Sequence, residues 1–120
     1  MSFPTINFKA TNTEIDITLQ ELVVQKLESL SKFVQDAPST CHVELEKLTA
    51  HQHGDFFRAE VNLQIDGKLY RVEATLDSFE KAIDEVRAEL DKQLRRATKK
   101  ENTLFKRGAR KIKRMLRSGK

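Results

Sequence analysis

The chain has 120 residues, 38% of them hydrophobic and 33% charged, with one Tyr and no Trp. That length points to one domain with a modest core, and no apolar run approaches the ~20 residues of a membrane span. The formal charge of +4 averages two unlike parts. Residues 1–91 hold 9 Lys/Arg against 17 Asp/Glu, a balance of −8. Residues 92–120 hold 13 Lys/Arg against Glu101 alone, a balance of +12. A basic end on an acidic body points to a polyanionic partner, with the body itself repelling phosphate. A merely solubilising tail is the plainer alternative.

Met1–Ala10 lacks the basic start and apolar core of a signal peptide. Cys41 is the only cysteine, which excludes an intrachain disulfide and a cysteine zinc cluster. A soluble cytoplasmic protein is the simplest class.

Phe3–Ala10 reads as a strand, with Ile6 and Phe8 alternating with Asn7 and Lys9. Thr11-Asn12-Thr13 is a turn cluster, and Asp16 is an N-cap candidate. Leu19, Leu22, Val23, Leu27, Leu30 and Phe33 recur every three or four residues, which predicts an amphipathic helix of about 17 residues. Pro38 lies beyond its end. Cys41, Val43 and Leu45 form the apolar side of a strand, as do Ala59, Val61, Leu63 and Ile65. Asp66-Gly67 is a two-residue hairpin signal. Tyr70, Val72, Ala74 and Leu76 then make a fourth strand. Asp77 and Ser78 cap a second helix, whose stripe is Phe79, Ala82, Ile83, Val86, Leu90, Leu94 and Ala97. About 20 residues are expected for it.

The order is β-α-β-β-β-α. Each strand has one apolar face and each helix one apolar stripe, so the expected class is α+β. The expected architecture is a two-layer sandwich with a four-stranded mixed sheet and both helices on one face. The first two strands should be parallel, joined by a crossover through the first helix. The division is a domain over 1–101 and a basic tail over 102–120, flexible or conditionally helical.

The open sheet face is predicted to carry His42, Glu44, Glu46, Arg58, Glu60, Asn62, Gln64, Arg71 and Glu73. It is acid-rich and lacks the aromatic platform on which sheet-type RNA binders stack bases. The helices suit RNA better. Opposite the Leu90 stripe lie Lys81, Lys92, Arg95 and Lys99, with Arg96 and Lys100 on one flank. Lys26 and Lys32 fall outside the stripe of the first helix. Cations one helical turn apart match phosphates, each contact releasing counterions; a solvated charged face is the plainer reading. The tail adds Lys106, Arg107, Arg110, Lys111, Lys113, Arg114, Arg117 and Lys120 with no acid after Glu101. Leu104, Phe105, Ala109, Ile112, Met115 and Leu116 give it a helical stripe, which Gly108 weakens. Such a segment orders on a polyanion or on a partner's apolar surface. A basic amphipathic helix also suits an anionic membrane, but nothing in the body supports that role.

His51-Gln52-His53-Gly54-Asp55 is the only constellation resembling a metal site. It sits in an expected strand-to-strand loop without a convincing further ligand, so a polar turn is the reading and no metal or cofactor is assigned. No phosphate-binding glycine loop, nucleophile elbow or carboxylate pair appears, so no enzyme, catalytic residue or small-molecule substrate is assigned.

Ile6-Asn7-Phe8, Glu14-Ile15-Asp16, Phe57-Arg58-Ala59-Glu60-Val61 and Asp66-Gly67-Lys68 fall in order along the chain. So do Ala82-Ile83-Asp84, Leu90, Gln93-Leu94 and the run from Arg95 to Lys100. Over residues 3–100 this set resembles the ribosome hibernation factors, also called ribosome-associated inhibitor or protein Y, with an older sigma-54 modulation label. The resemblance implies a fold like that of double-stranded RNA-binding domains. It implies a partner, the small ribosomal subunit and its rRNA, bound in the cleft between head and body in competition with mRNA and tRNA. It places Lys26, Lys32, Lys92, Arg96 and Lys100 at the family's cationic positions. Glu89 and Ser29 depart from that pattern, and the long form's ribosome-pairing domain is not expected in a chain of this length. A general double-stranded RNA-binding or ribosome-assembly protein, and a protein-interaction module such as a transcription modulator, are the alternatives.

Overall fold

The computed structural model describes the backbone of residues 3–50 and 54–118, and the side chains of residues 3–49 and 54–99. Strand β1 (Ile6–Thr11) leads to helix α1 (Ile17–Glu28) and a 3₁₀ turn at Ser31–Phe33. Strands β2 (Ser39–Ala50), β3 (Gly54–Ile65) and β4 (Lys68–Leu76) follow, and helix α2 spans Phe79–Ser118. The sheet order is β1-β2-β3-β4. β1 and β2 are parallel and the other pairs antiparallel, as a crossover through α1 requires. Both helices cover the same face, with α2 over β3 and β4 and α1 beside α2.

Local chemistry explains the boundaries. The Asp16 carboxylate accepts from the Leu19 amide at 2.8 Å and starts α1. The helix is 12 residues long rather than the expected 17 or so. The Ser29 hydroxyl donates to the Lys26 carbonyl at 2.7 Å, and such side-chain competition disfavours further α-helix. The chain tightens instead, with the Leu30 amide on the Leu27 carbonyl at 2.9 Å. This change of pitch keeps Leu30 and puts Val34 in the core, at 1% and 2% exposure. Phe33, which the helical stripe placed inside, is left half-buried at the surface.

Asp66 and Gly67 hold φ of 51° and 83°, the pair of positive angles that a type I′ hairpin requires. The β2–β3 ladder extends further than the sequence spacing suggested, to Ala50 paired with Gly54. Its outer end pairs Leu48 with Phe56. Strand parity puts both on the open face, so that face does carry one aromatic ring, contrary to the sequence expectation. Phe57, on the other face, meets Phe79 edge-on at 4.8 Å between centroids.

The core joins Val23, Leu27 and Leu30 to Val43, Leu45, Val61, Leu63, Ile83, Val86 and Leu90. Cys41 is wholly buried among them, and burial pushes its thiol pKa up to about 12. The thiolate is the reactive form. Cys41 should therefore resist a disulfide reagent at pH 8 in the native protein and react within seconds in denaturant; prompt native reaction would place it at the surface.

Helix α2 is 40 residues long, against the 20 or so expected from its buried stripe. Ser78 starts it, its hydroxyl accepting from the Lys81 amide at 3.1 Å. At 1.5 Å per residue it is about 60 Å long. The stripe behind it continues in helical register through Leu104, Phe105, Ile112 and Leu116. Gly108 is the only weak former there, and one glycine costs about 1 kcal/mol relative to alanine, too little to end a helix flanked by Lys, Arg and Ala. The helical backbone crosses the 101/102 boundary, while the side chains beyond Lys99 lie outside the described residues.

Candidate nucleic-acid interface

The two layers present opposite chemistry. On the open sheet face, Glu44, Glu60 and Glu73 stand directly opposite one another across β2, β3 and β4. Like charges in such a row repel. Arg58, one pair further along β3, neutralises them. It donates to Glu73 at 2.6 Å and Glu60 at 3.1 Å, and reaches Glu44 at 3.4 Å and Glu46 at 3.5 Å. Arg71 bonds the far oxygen of Glu60, and Lys9 lies 3.9 Å from Glu44. Burial alone would lower the Arg58 pKa, but the hydrogen bonds to Glu73, Glu60 and Glu44 outweigh it and push it above its ordinary value. The Thr11 hydroxyl, with Arg58 and Lys9, holds the Glu44 carboxyl below its usual range against the opposing effect of burial. This face is acidic and internally paired, so it offers phosphate nothing.

The cations that sequence spacing singled out are on the other layer. Lys92, Arg95, Arg96 and Lys99 are exposed along α2, turned away from the sheet. At 1.5 Å per residue the row from Lys92 to Lys99 covers about 10 Å. Among the described residues Lys92 and Arg96 have no ion-pair partner. Arg95 donates to Asp91 at 2.9 Å, one turn back. The Arg95 hydrogen bond holds the Asp91 carboxyl below its ordinary range, helped by Lys32 and Arg87. Arg95 and Lys32 both lie over the Phe33 ring, at 5.6 and 5.3 Å from its centroid. Phe33 thereby joins the 3₁₀ turn to the α2 row and brings Lys32 alongside it.

Lys26 stands apart. Its ammonium is 2.7 Å from Asp84 on α2 and ties the two helices together. It is placed among the candidate RNA-binding residues by the sequence, but its charge is already engaged. Of the departures from the family pattern, Ser29 terminates α1, and Glu89 is half-buried on the flank of α2. The side chains of Lys100, Lys106, Arg107, Arg110, Lys111, Lys113 and Arg114 lie outside the described residues, as do His51 and His53. Asp55, next to that pair, is 3.4 Å from Lys47. Among the described residues no group of three or more His, Cys, Asp or Glu is placed to hold a metal ion. No helix of the described residues is long and apolar enough to cross a membrane.

Residues 6–102 match the sequence profile of the Sigma 54 modulation protein / S30EA ribosomal protein family. The chain belongs to this family. The fold agrees: it resembles the protein Y N-terminal domain of Thermus thermophilus with a TM-score of 0.64 and 28% identity, over 78% of this chain and 96% of that one. It resembles a ribosomal subunit interface protein from Coxiella burnetii with a TM-score of 0.63 and 21% identity, again over 78% and 96%. No curated protein matches the chain at a significant level. Within this S30EA frame the family resemblance read from the sequence and the α+β sandwich are both established. The S30EA match ends at residue 102, and α2 continues past it to Ser118.

Three features of the S30EA domain were not visible in the sequence. The surface position of Phe33 depends on where α1 stops. The hub role of Arg58 depends on strand register. The engagement of Lys26 depends on how α1 and α2 pack. The alternation of Glu44, Glu46, Arg58, Glu60 and Glu73 was the one available signal, since four glutamates on one face need a counter-charge.

Proposed function

We propose that the protein is a cytoplasmic ribosome hibernation factor acting by steric block, without covalent chemistry. It binds small-subunit rRNA in the cleft between head and body and so excludes mRNA and tRNA. The observation that carries this reading is the exposed cation row on α2, in which Lys92 and Arg96 are unpaired among the described residues and Arg95 meets Lys32 over Phe33, on a chain of this family. The row faces away from an acidic sheet whose charges are spent on one another. An orientation follows: α2 and the 3₁₀ turn lie toward the phosphates, and the sheet points away. The basic segment over 102–120 extends along the same RNA and adds affinity, each phosphate contact contributing counterion release.

Co-sedimentation tests it. The purified chain is pelleted with small subunits, large subunits or naked duplex RNA at two salt concentrations. Selective pelleting with small subunits that survives moderate salt is expected, together with displacement by tRNA. Equal, steeply salt-sensitive binding to every RNA would make it a general duplex-RNA or assembly protein. Binding to none of them would favour a protein-interaction module.

A further inference from the structure

A cleft of about 530 Å³ opens where the segment after the 3₁₀ turn, the β3–β4 turn and α2 near Leu94 meet. Phe33 and Tyr70 line it, and Asp36, Asp66 and Lys68 stand at its rim. It is continuous with the α2 cation row, because Phe33 belongs to both.

Two properties mark it as a binding site. Each aromatic ring has cations over its face: Lys32 and Arg95 lie over Phe33, and Lys68 lies over Tyr70 at 5.5 Å from the centroid. A base entering the cleft beside either ring would therefore bring its phosphate within reach of an ammonium or guanidinium. The polar groups of the cleft are also uncommitted. Among the described residues the Asp36 and Asp66 carboxylates make no ion pair or hydrogen bond. The Tyr70 hydroxyl is likewise without a protein partner, although Tyr70 is only 9% exposed. On the open sheet face, by contrast, Glu44, Glu46, Glu60 and Glu73 are all paired. The cleft is held in shape by the Asp66 amide, which donates to the Pro38 carbonyl at 2.8 Å and ties the hairpin to the loop.

Carboxylates only accept hydrogen bonds, so they select a base edge carrying adjacent donors. Guanine offers N1–H and its 2-amino group side by side. Uracil offers one N–H flanked by two carbonyl oxygens, which a carboxylate repels. We propose that this cleft binds a single unstacked guanine nucleotide. The base enters the cleft between its Phe33 and Tyr70 sides, its donor edge faces Asp36 or Asp66, and its phosphate lies near Lys68 or the Lys32–Arg95 pair. The site rests on the RNA-binding reading above and adds a base-reading element to it.

Amide NMR of the full chain tests it, with GMP, UMP, r(UUGU) and r(UUUU) as probes. GMP and r(UUGU) are expected to shift amides within 33–37, 65–70 and 94–98. Guanine probes should bind about tenfold tighter than their uracil counterparts, the factor that one unmade hydrogen bond to a charged group accounts for. Tighter binding of r(UUGU) than of GMP identifies an RNA strand as the source of the nucleotide; equal binding identifies the free nucleotide. Asp36→Asn combined with Asp66→Asn should remove the guanine preference while leaving the melting temperature unchanged, since asparagine suits the same turn position as Asp66. Absence of localised shifts at millimolar GMP and r(UUGU), or equal response to uracil, overturns the site. Small-subunit co-sedimentation of the same preparation separates the two ideas. Pelleting without guanine binding removes the cleft alone, and guanine binding without pelleting removes the ribosome reading alone.

Discussion

Replacing Lys92, Arg96 and Lys100 together with Glu is expected to abolish co-sedimentation with small ribosomal subunits. Lys92 and Arg96 are exposed, turned away from the sheet and unpaired among the described residues. Lys100 follows Arg96 at the next helical turn. Loss of three phosphate contacts should lower the salt slope by about 3 and the affinity on the order of 100-fold or more, since reversal adds repulsion to the lost contacts. Lys92 and Arg96 lie outside the core, so far-UV dichroism and the melting curve should stay close to those of the parent chain. Lys26→Gln is the informative contrast. Its ammonium is spent on Asp84, so binding should change less than about threefold while stability falls by a few tenths of a kcal/mol to 1 kcal/mol, the range for a partly exposed ion pair. Undiminished pelleting of the triple variant would show that α2 does not face the RNA.

Arg58→Met should be the most destabilising change on the open face, by about 2–4 kcal/mol at pH 7. The substitution keeps a long apolar stem and removes the charge that Glu44, Glu46, Glu60 and Glu73 share. Arg58 is only 19% exposed and Glu60 8%, so water screens the remaining carboxylates poorly. The figure sits below that for a fully buried pair because Glu73 is 55% exposed. The pH dependence identifies the cause. In the parent chain the Glu44 carboxyl is held below its usual pKa, so its contribution is present above the unfolded value of 4.5 and is lost as pH falls through the lower folded value. In the variant the crowded carboxylates repel and their folded pKa values rise above the unfolded ones. That penalty is present above the folded values and disappears as they protonate. The stability gap should therefore narrow from pH 7 to pH 4, measured by urea denaturation at each pH. Glu60→Gln in the Arg58→Met background should recover part of the loss at pH 7. A gap constant with pH, or below about 0.5 kcal/mol at pH 7, would mean that the row is already screened by solvent.

Short-range chemistry accounts for what could be read before the fold was known. The Asp16 cap, the Asp66-Gly67 turn and the period-2 strands each depend on residues within a few positions of one another. Element order and the parallel β1–β2 pair follow from them together with the handedness of crossovers. The uneven charge along the chain needed no structure at all. The ends of α1 and α2 were misjudged for opposite reasons. A single serine hydroxyl shortened α1 and turned its final stretch into a 3₁₀ turn. The length of α2 was read from its buried stripe, which ends near Ala97, but the helical backbone runs on to Ser118 through a run of good helix formers that Gly108 costs too little to stop.

For the site, helical spacing placed Lys92, Arg95, Arg96 and Lys99 on the solvent side of α2, and the side chains are found there. The sequence by itself determined the alternation, the caps, the sign of each face and the membership of the family, because all of these are carried by residue identity and local spacing. Only the tertiary structure decided that Lys26 pairs with Asp84, that Arg58 gathers four glutamates from three strands, and that Phe33 and Tyr70 frame one cleft. Apart from Arg58–Glu60 within β3, those contacts join residues 12 to 58 positions apart, so their existence depends on register and helix packing, which no local pattern encodes.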